Sequence, residues 1–323
     1  MLYPLKFTPI LKDKIWGGTK LSTIFGKESE SDKLGESWEL SGHEGDESIV
    51  TNGFLEGNNL TELIEIYMGE LVGDKIFDEF GLSFPLLFKL IDAEEDLSIQ
   101  VHPNDEVAAE RHNSFGKTEM WYVIDAEPDS AMIIGFAKDC GRDEYLNALD
   151  TDKVESLLHK VPVTKGDVLF IPAGTVHSIG KGIVVAEIQE SSDLTYRIYD
   201  FKRLDENGNE RELHTELALD VINFSASEHP KTAYKESLNE ITPLVTCDYF
   251  TTNIIKFDAA VTRNYGTIDS FVVYMCLEGS LIIESNNEKT VVNKGDTVLI
   301  PASINEVGLI PENEATLLEV YIS

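Results

Sequence analysis

Two histidines, a glutamate and a glutamine stand at spacings that suit metal chemistry. In Gln100-Val101-His102-Pro103, the side chains at 100 and 102 share one face of a strand, because strand side chains alternate. Further along, Lys117-Thr118-Glu119-Met120-Trp121-Tyr122 puts Glu119 and Trp121 on one face, with Met120 and Tyr122 on the other. His177 closes Pro172-Ala173-Gly174-Thr175-Val176-His177, where the proline ends an apolar strand and the glycine opens a turn. Two imidazoles, a carboxylate and an amide oxygen form a set that suits zinc, one ion per chain, with a position left for water or substrate. The other histidines, His43, His112, His159, His214 and His229, sit in no comparable setting and read as surface or satisfied core residues.

The elements that must hold these residues are mostly short strands. Residues 97–101, 121–124, 168–171 and 183–188 are rich in β-branched and aromatic side chains and are separated by turn signals. Residues 59–76, 142–158 and 213–224 repeat apolar residues at helical spacing, with Thr61 a candidate cap for the first. An internal repeat organises the whole. Lys165-Gly166-Asp167-Val168-Leu169-Phe170-Ile171-Pro172-Ala173 returns as Lys294-Gly295-Asp296-Thr297-Val298-Leu299-Ile300-Pro301-Ala302. Two copies of one β-module follow. The first copy, running on to His177, is similar to the second motif of the cupin superfamily. That resemblance implies a mainly β fold of two cupin-type jelly-roll sandwich or barrel modules with a few short helices, and makes His177 a metal ligand. In the second copy Ser303 and Glu306 replace the glycine and the histidine, so a metal site belongs to the first module. The polar stretch 225–239 divides a catalytic domain, residues 1–235, from a cupin-like domain without metal ligands, residues 240–323.

Composition narrows the partners. The chain has 323 residues, 58 of them acidic and 26 basic, for a net charge of −32. Such a surface repels phosphate backbones and argues against nucleic-acid partners. An anion site would therefore have to be a local cluster of Arg and Lys inside a pocket. No apolar run reaches the roughly 20 residues of a membrane span, and the start lacks the features of a secretory signal. Cys140, Cys247 and Cys276 are three and far apart, which suits small reduced hydrophobes rather than a disulfide framework. The expectation is a cytoplasmic protein, monomer or homodimer, that does not meet membranes.

Taken together, Gln-Val-His-Pro, Lys-Thr-Glu-Met-Trp-Tyr, Pro-Ala-Gly-Thr-Val-His and the following Tyr196-Arg197 resemble the type I mannose-6-phosphate isomerases in their short bacterial form. Trp16-Gly17-Gly18, Gly35-Glu36-Ser37-Trp38-Glu39 and Phe84-Pro85-Leu86-Leu87-Phe88-Lys89 fit the same family. The resemblance implies a zinc-dependent aldose–ketose isomerase that interconverts mannose 6-phosphate and fructose 6-phosphate through an enediolate. It implies Gln100, His102, Glu119 and His177 as zinc ligands, Arg197 as the active-site arginine, Glu187 as a proton-transfer carboxylate and Lys117 as a pocket lysine. Around Arg197 the chain departs from the longer members, carrying Leu194 and Tyr199 where they have Asn and Gly. Glu187 is the first choice of base, with Lys117 or another histidine as rivals. Lys89, Lys117, and Lys202 with Arg203, are the candidates for the 6-phosphate. Trp16, Trp38 and Trp121 read equally as sugar-facing walls or core. Two other classes use similar parts: an oxygenase with two histidines and a carboxylate on iron, and a non-catalytic sugar-phosphate-binding cupin.

Overall fold

The computed structural model describes residues 1–204, 208–286 and 288–323. Runs of branched and aromatic residues punctuated by glycines in left-handed turns, Gly166 and Gly295 among them, build four main antiparallel sheets. The first sheet has the order Leu158–Pro162, Ala131–Phe136, His177–Ser178, Ile99–Val101, Tyr196–Tyr199. The second runs Val168–Ile171, Glu119–Ala126, Ile183–Glu190, Leu86–Ala93, Leu34–Leu40, Ile10–Gly18. The third consists of Leu5–Lys6, Thr297–Ile300, Val272–Glu278, Ala315–Tyr321, Thr251–Phe257 and Glu240–Thr246, and the fourth of Val261–Asn264, Glu306–Pro311, Ser280–Ser285 and Glu288–Asn293. The fold is mainly β with few helices, and the modules are sandwiches of separate sheets rather than closed barrels.

Side-chain alternation shows how the sheets stack. From the second sheet, Trp121, Val123, Ile183 and Val185 meet Met132 and Ile134 of the first sheet in one core. The alternate residues Met120, Ile124, Ala186 and Ile188 meet Val273, Met275, Leu318 and Val320 of the third sheet in another. A further core lies between the third and fourth sheets, around Phe257, Tyr274, Ile283 and Val307. The two sandwiches thus pack face to face. This explains why every residue of Leu86–Ala93 and Ile183–Glu190 is buried: both faces of the sheet are covered. Each fully buried Leu, Ile or Phe in the shared core contributes about 1.5–3 kcal/mol, so the joint is a principal source of stability. The N-terminus crosses it as well, since Leu5 and Lys6 pair with Leu299 and Val298.

The helices are shorter than their periodicity predicts. The stretch 59–76 is broken into Leu60–Tyr67, Gly69–Val72 and Asp74–Phe80. Met68 takes φ 47 and Gly73 φ 103, both incompatible with a continuous helix. At Gly73 a Cβ would stand 2.4 Å from the carbonyl oxygen of Asp269, so close approach to the second module demands glycine there. The cap is Asn59, which forms a reciprocal capping box with Glu62, and not Thr61. Residues 142–158 divide into Arg142–Asp150 and a 3-10 turn, Val154–Leu157, around Asp152 at φ 61. Only Thr215–Leu219 of 213–224 is helical. Among the described residues no helix is long and apolar enough to cross a membrane.

Candidate metal centre and active-site cavity

Between the first and second sheets, beside their apolar core, polar residues of both sheets line a common cavity. In the first sheet His177 pairs with Gln100, and Gln100 with Arg197, so these three side chains form a row across adjacent strands. In the second sheet Trp38, Lys89, Glu187 and Trp121 form a facing row, with Glu119 one step along on the same side. The ligand atoms of His102, Glu119 and His177 all lie within 4.8 Å of one another, the one such group among the described residues.

Their surroundings prepare these groups to bind a cation. His102 donates Nδ1–H to the carbonyl of Leu194 (2.7 Å), and His177 donates to that of Thr175 (2.8 Å). Each Nε2 lone pair is thereby turned into the cluster. Burial, helped by the Lys117 charge, lowers His177 to about 4 and moves His102 well below its ordinary value, so both rings are neutral near pH 7. Glu119 is fully buried, and neither of its oxygens receives a well-oriented hydrogen bond. Burial pushes its carboxyl up to about 7 despite the adjacent Lys117. A buried carboxylate this poorly paired is costly. The Lys117 ammonium, 2.9 Å from Glu119 Oε2 and 3.1 Å from His102 Nε2, occupies the focus of these lone pairs. One positive charge already sits where a divalent ion would serve better, and the donor set fits such an ion. Gln100 places its amide nitrogen 3.2 Å from His177 Nε2. Ligation through oxygen needs the other orientation of an amide that is nearly symmetric in shape.

A cavity of about 300 Å³ opens beside the cluster, with Lys89, Lys117, Trp121, Glu187, Arg197 and Arg211 in its wall. Glu187 Oε2 accepts from Trp121 Nε1 at 2.8 Å, and Oε1 has Lys89 Nζ at 3.1 Å but no well-oriented donor. Burial alone would raise Glu187; the charges of Lys89 and Lys117 outweigh it and hold the carboxyl at about 2. Conversely, burial would lower Lys89, but Glu187 and Glu36 keep its ammonium above the ordinary value. Lys89 also donates to Gln189 Oε1 at 2.7 Å. Arg197 is lowered by burial and by Arg211; its Nη1 donates to the Glu212 carbonyl at 3.0 Å while its Nε is buried without a partner.

All eight residues singled out by type and resemblance gather at this cluster and the cavity beside it. Lys202 and Arg203 do not join them. Lys202 is exposed and paired with Asp152 at 2.5 Å, and Arg203 is turned to Asp200. Of the tryptophans, Trp16 and Trp121 line the cavity, whereas Trp38 lies 5.1 Å beneath the Lys89 ammonium. Lys14, Glu36, Asp193 and Arg211 also line it. Glu36 lies within a segment already quoted above, but Arg211 comes from a polar loop with no pattern to mark it.

Comparison with known proteins agrees with this geometry. Residues 4–141 match the family model described as phosphomannose isomerase type I, catalytic domain, and residues 240–321 the model described as mannose-6-phosphate isomerase, cupin domain. Mannose-6-phosphate isomerase ManA of Bacillus subtilis (strain 168) is 37% identical over 95% of this chain and 95% of its own length. Mannose-6-phosphate isomerase of Streptococcus mutans is 35% identical over 94% of each chain. The crystal structure of the mannose 6-phosphate isomerase from Bacillus subtilis superposes with a TM-score of 0.87 at 34% identity, covering 99% of both chains. A putative mannosephosphate isomerase from Archaeoglobus fulgidus, at 23% identity and a TM-score of 0.79, shares the fold. With more than a third of its residues identical to such relatives along almost its whole length, the chain belongs to the type I phosphomannose isomerase family.

Proposed function

We propose that this enzyme interconverts mannose 6-phosphate and fructose 6-phosphate, with one zinc ion held by Gln100, His102, Glu119 and His177. The observation that carries this reading is the underbonded His–His–Glu cluster opening onto a cavity walled by Lys89, Lys117, Arg197 and Arg211. Residues 1–235 would then be the catalytic unit, and residues 240–323 a module that covers it. The chemistry supplied by a zinc ion bound there is Lewis-acid stabilisation of negative charge on the sugar's oxygens. Overall, a proton moves between C2 and C1 and a hydroxyl proton between O2 and O1, by way of an enediolate. Glu187 Oε1, the oxygen without a well-oriented donor, takes the proton from one carbon and returns it to the other. Lys89 holds that carboxylate in place and ionised. Lys117 must leave the ligand cluster when an ion enters, and its arm then serves the sugar's oxygens. Trp16 and Trp121 limit water around the reacting carbons.

A coupled assay of mannose 6-phosphate turnover, run before chelation, after it, and after zinc return, tests the proposal. Turnover should vanish and then recover. Glu119→Ala should lower both bound zinc and turnover at least about a hundredfold. Full activity in metal-free protein, or in a Glu119→Ala variant with stoichiometric zinc, would refute the metal assignment.

A further inference from the structure

The cavity has two chemically different ends. His177, Gln100 and Arg197 lie on successive strands of the first sheet, and Tyr196–Tyr199, which carries Arg197, is its edge strand. Two strand spacings of about 4.8 Å separate the backbone of Arg197 from that of His177. Beyond the edge the chain is tied back by His214, which accepts from the Arg197 backbone N–H at 3.0 Å and donates its own N–H to the Arg197 carbonyl at 2.8 Å. This tie brings Arg211 to the cavity wall. The metal cluster is thus at one end and a pair of arginines at the other.

The arginine end is short of negative charge. Asp200 is its buried carboxylate. It accepts from Arg211 Nε at 2.6 Å and from Arg211 Nη2 at 2.5 Å, and it also engages Arg203. Two guanidinium groups therefore share one carboxylate while Arg197, with a buried and unpartnered Nε, faces the same space. The other cavity cations each face a carboxylate of their own: Lys89 meets Glu187, Lys117 meets Glu119 and Lys14 meets Glu36. In a chain of net charge −32, a local excess of arginine is a feature built for an anion.

We infer that Arg211, oriented by the two-pronged grip of Asp200, anchors the substrate's phosphate together with Arg197 and so sets the preference for phosphorylated over free hexose. The inference rests on the sugar-phosphate reading above. A phosphate between the two guanidiniums also relieves their mutual repulsion, which together with burial lowers Arg197. Asp200 is a positioning residue here, acting through Arg211.

The test uses the zinc-loaded full chain, with inorganic phosphate as the calorimetric probe and steady-state kinetics on mannose 6-phosphate. Arg211→Gln should raise the phosphate Kd and the KM about ten- to a hundredfold, the worth of a lost charge-assisted contact. Its kcat should stay within about threefold of wild type. Arg211→Lys should recover part of the affinity, and Asp200→Asn should weaken it less than Arg211→Gln does. Unchanged Kd and KM overturn the assignment. So does a fall in kcat and zinc content with no shift in phosphate affinity, which is the mark of a merely structural residue. If the wild-type protein bound phosphate in an Arg211-dependent way yet never turned over the sugar phosphate, the functional reading would fail and the anchor would stand.

Discussion

Glu187 pairs across its sheet with Lys89 on one side and Trp121 on the other, and Glu319 pairs in the same way with Asn253 and Tyr274. The two positions correspond. Ile171 and Ile300 occupy equal places in the repeat, and they lead by pairing to Glu119 and Gln189 in one module and to Val272 and Tyr321 in the other. Two residues back along each last strand stand Glu187 and Glu319. Both glutamates are buried and both point away from the core between the modules, but their surroundings differ. Glu319 is clamped by Arg263 through Nε (2.7 Å) and Nη2 (3.0 Å), by Asn253 at 2.8 Å, and by the hydroxyls of Tyr265 and Tyr274. Glu187 has one good donor, Trp121, and an oxygen left open toward a cavity. One topology therefore carries a carboxylate as a structural pin in one copy and as an ionised, incompletely bonded group facing a cavity in the other. Saturation of its hydrogen bonds separates the two roles, because a group whose lone pairs are all engaged cannot also accept a proton from a substrate.

Exchanging each carboxylate for its amide should separate these roles. Glu187→Gln is expected to cut kcat about 10²- to 10⁴-fold and, because it leaves the buried Lys89 ammonium without its counter-charge, to lower the thermal midpoint as well. Glu319→Gln is expected to destabilise the fold and leave kcat alone. Breaking a buried pair costs about 3–5 kcal/mol, and the protein that remains folded should turn over substrate near the wild-type rate. Denaturant melts and steady-state kinetics on both variants decide the matter. A Glu187→Gln variant that melts early yet keeps its activity would show that this carboxylate, too, is a pin.

Much of this contrast was legible in the sequence. The repeat identified two copies, and the replacement of His177 by Glu306 identified the copy lacking a metal-site histidine. Period-two alternation correctly set Glu119 and Trp121 on one face. Other features had no local signal. The unbroken burial of Leu86–Ala93 comes from a second sandwich lying on its outer face, which is a fact of tertiary packing. The breaks at Met68 and Gly73 come from fitting against that sandwich, and apolar periodicity continues across them. Arg211 reaches the cavity through its bonds to Asp200 and the tie at His214, so neither its neighbours in sequence nor its spacing reveals it.

A medium-sized effect is expected where the two modules meet. Glu190 ends the strand that bears Glu187, and its Oε2 accepts from the Thr118 backbone N–H at 2.6 Å. Burial raises its carboxyl to about 8, with Asp105 adding to the shift. The folded value thus lies above the ordinary 4.5. Below pH 4.5 both states are protonated and the group has no effect. Between about 4.5 and 8 the unfolded chain ionises first, so stability falls as pH rises, and the loss levels off above 8. Glu190→Gln mimics the protonated acid and removes this slope. Between about pH 6 and pH 9 the wild-type melting temperature should drop a few degrees further than the variant's. Parallel curves would mean that Glu190 is ionised in the folded protein throughout.

The smallest expected effect asks whether the second module only covers the first or also tunes it. Tyr249 donates to Asp105 Oδ2 at 2.9 Å, and Asp105 Oδ1 accepts from the Gly116 N–H at 2.8 Å. Glu190 holds Thr118, and the Lys117 N–H donates to the Pro103 carbonyl at 3.1 Å. Three successive backbone donors are thus fixed just before Glu119, and the outermost of these ties is braced by a hydroxyl from the other module. Tyr249→Phe keeps the ring and removes the brace, which should cost about 1 kcal/mol of stability. If the brace matters to the site, Lys117 loses definition while the ligands, set on strands, do not. KM for mannose 6-phosphate should then rise about two- to fivefold with zinc content unchanged. Lower stability with identical kinetics would leave the second module as a cover alone, and the contrast between the modules would be complete.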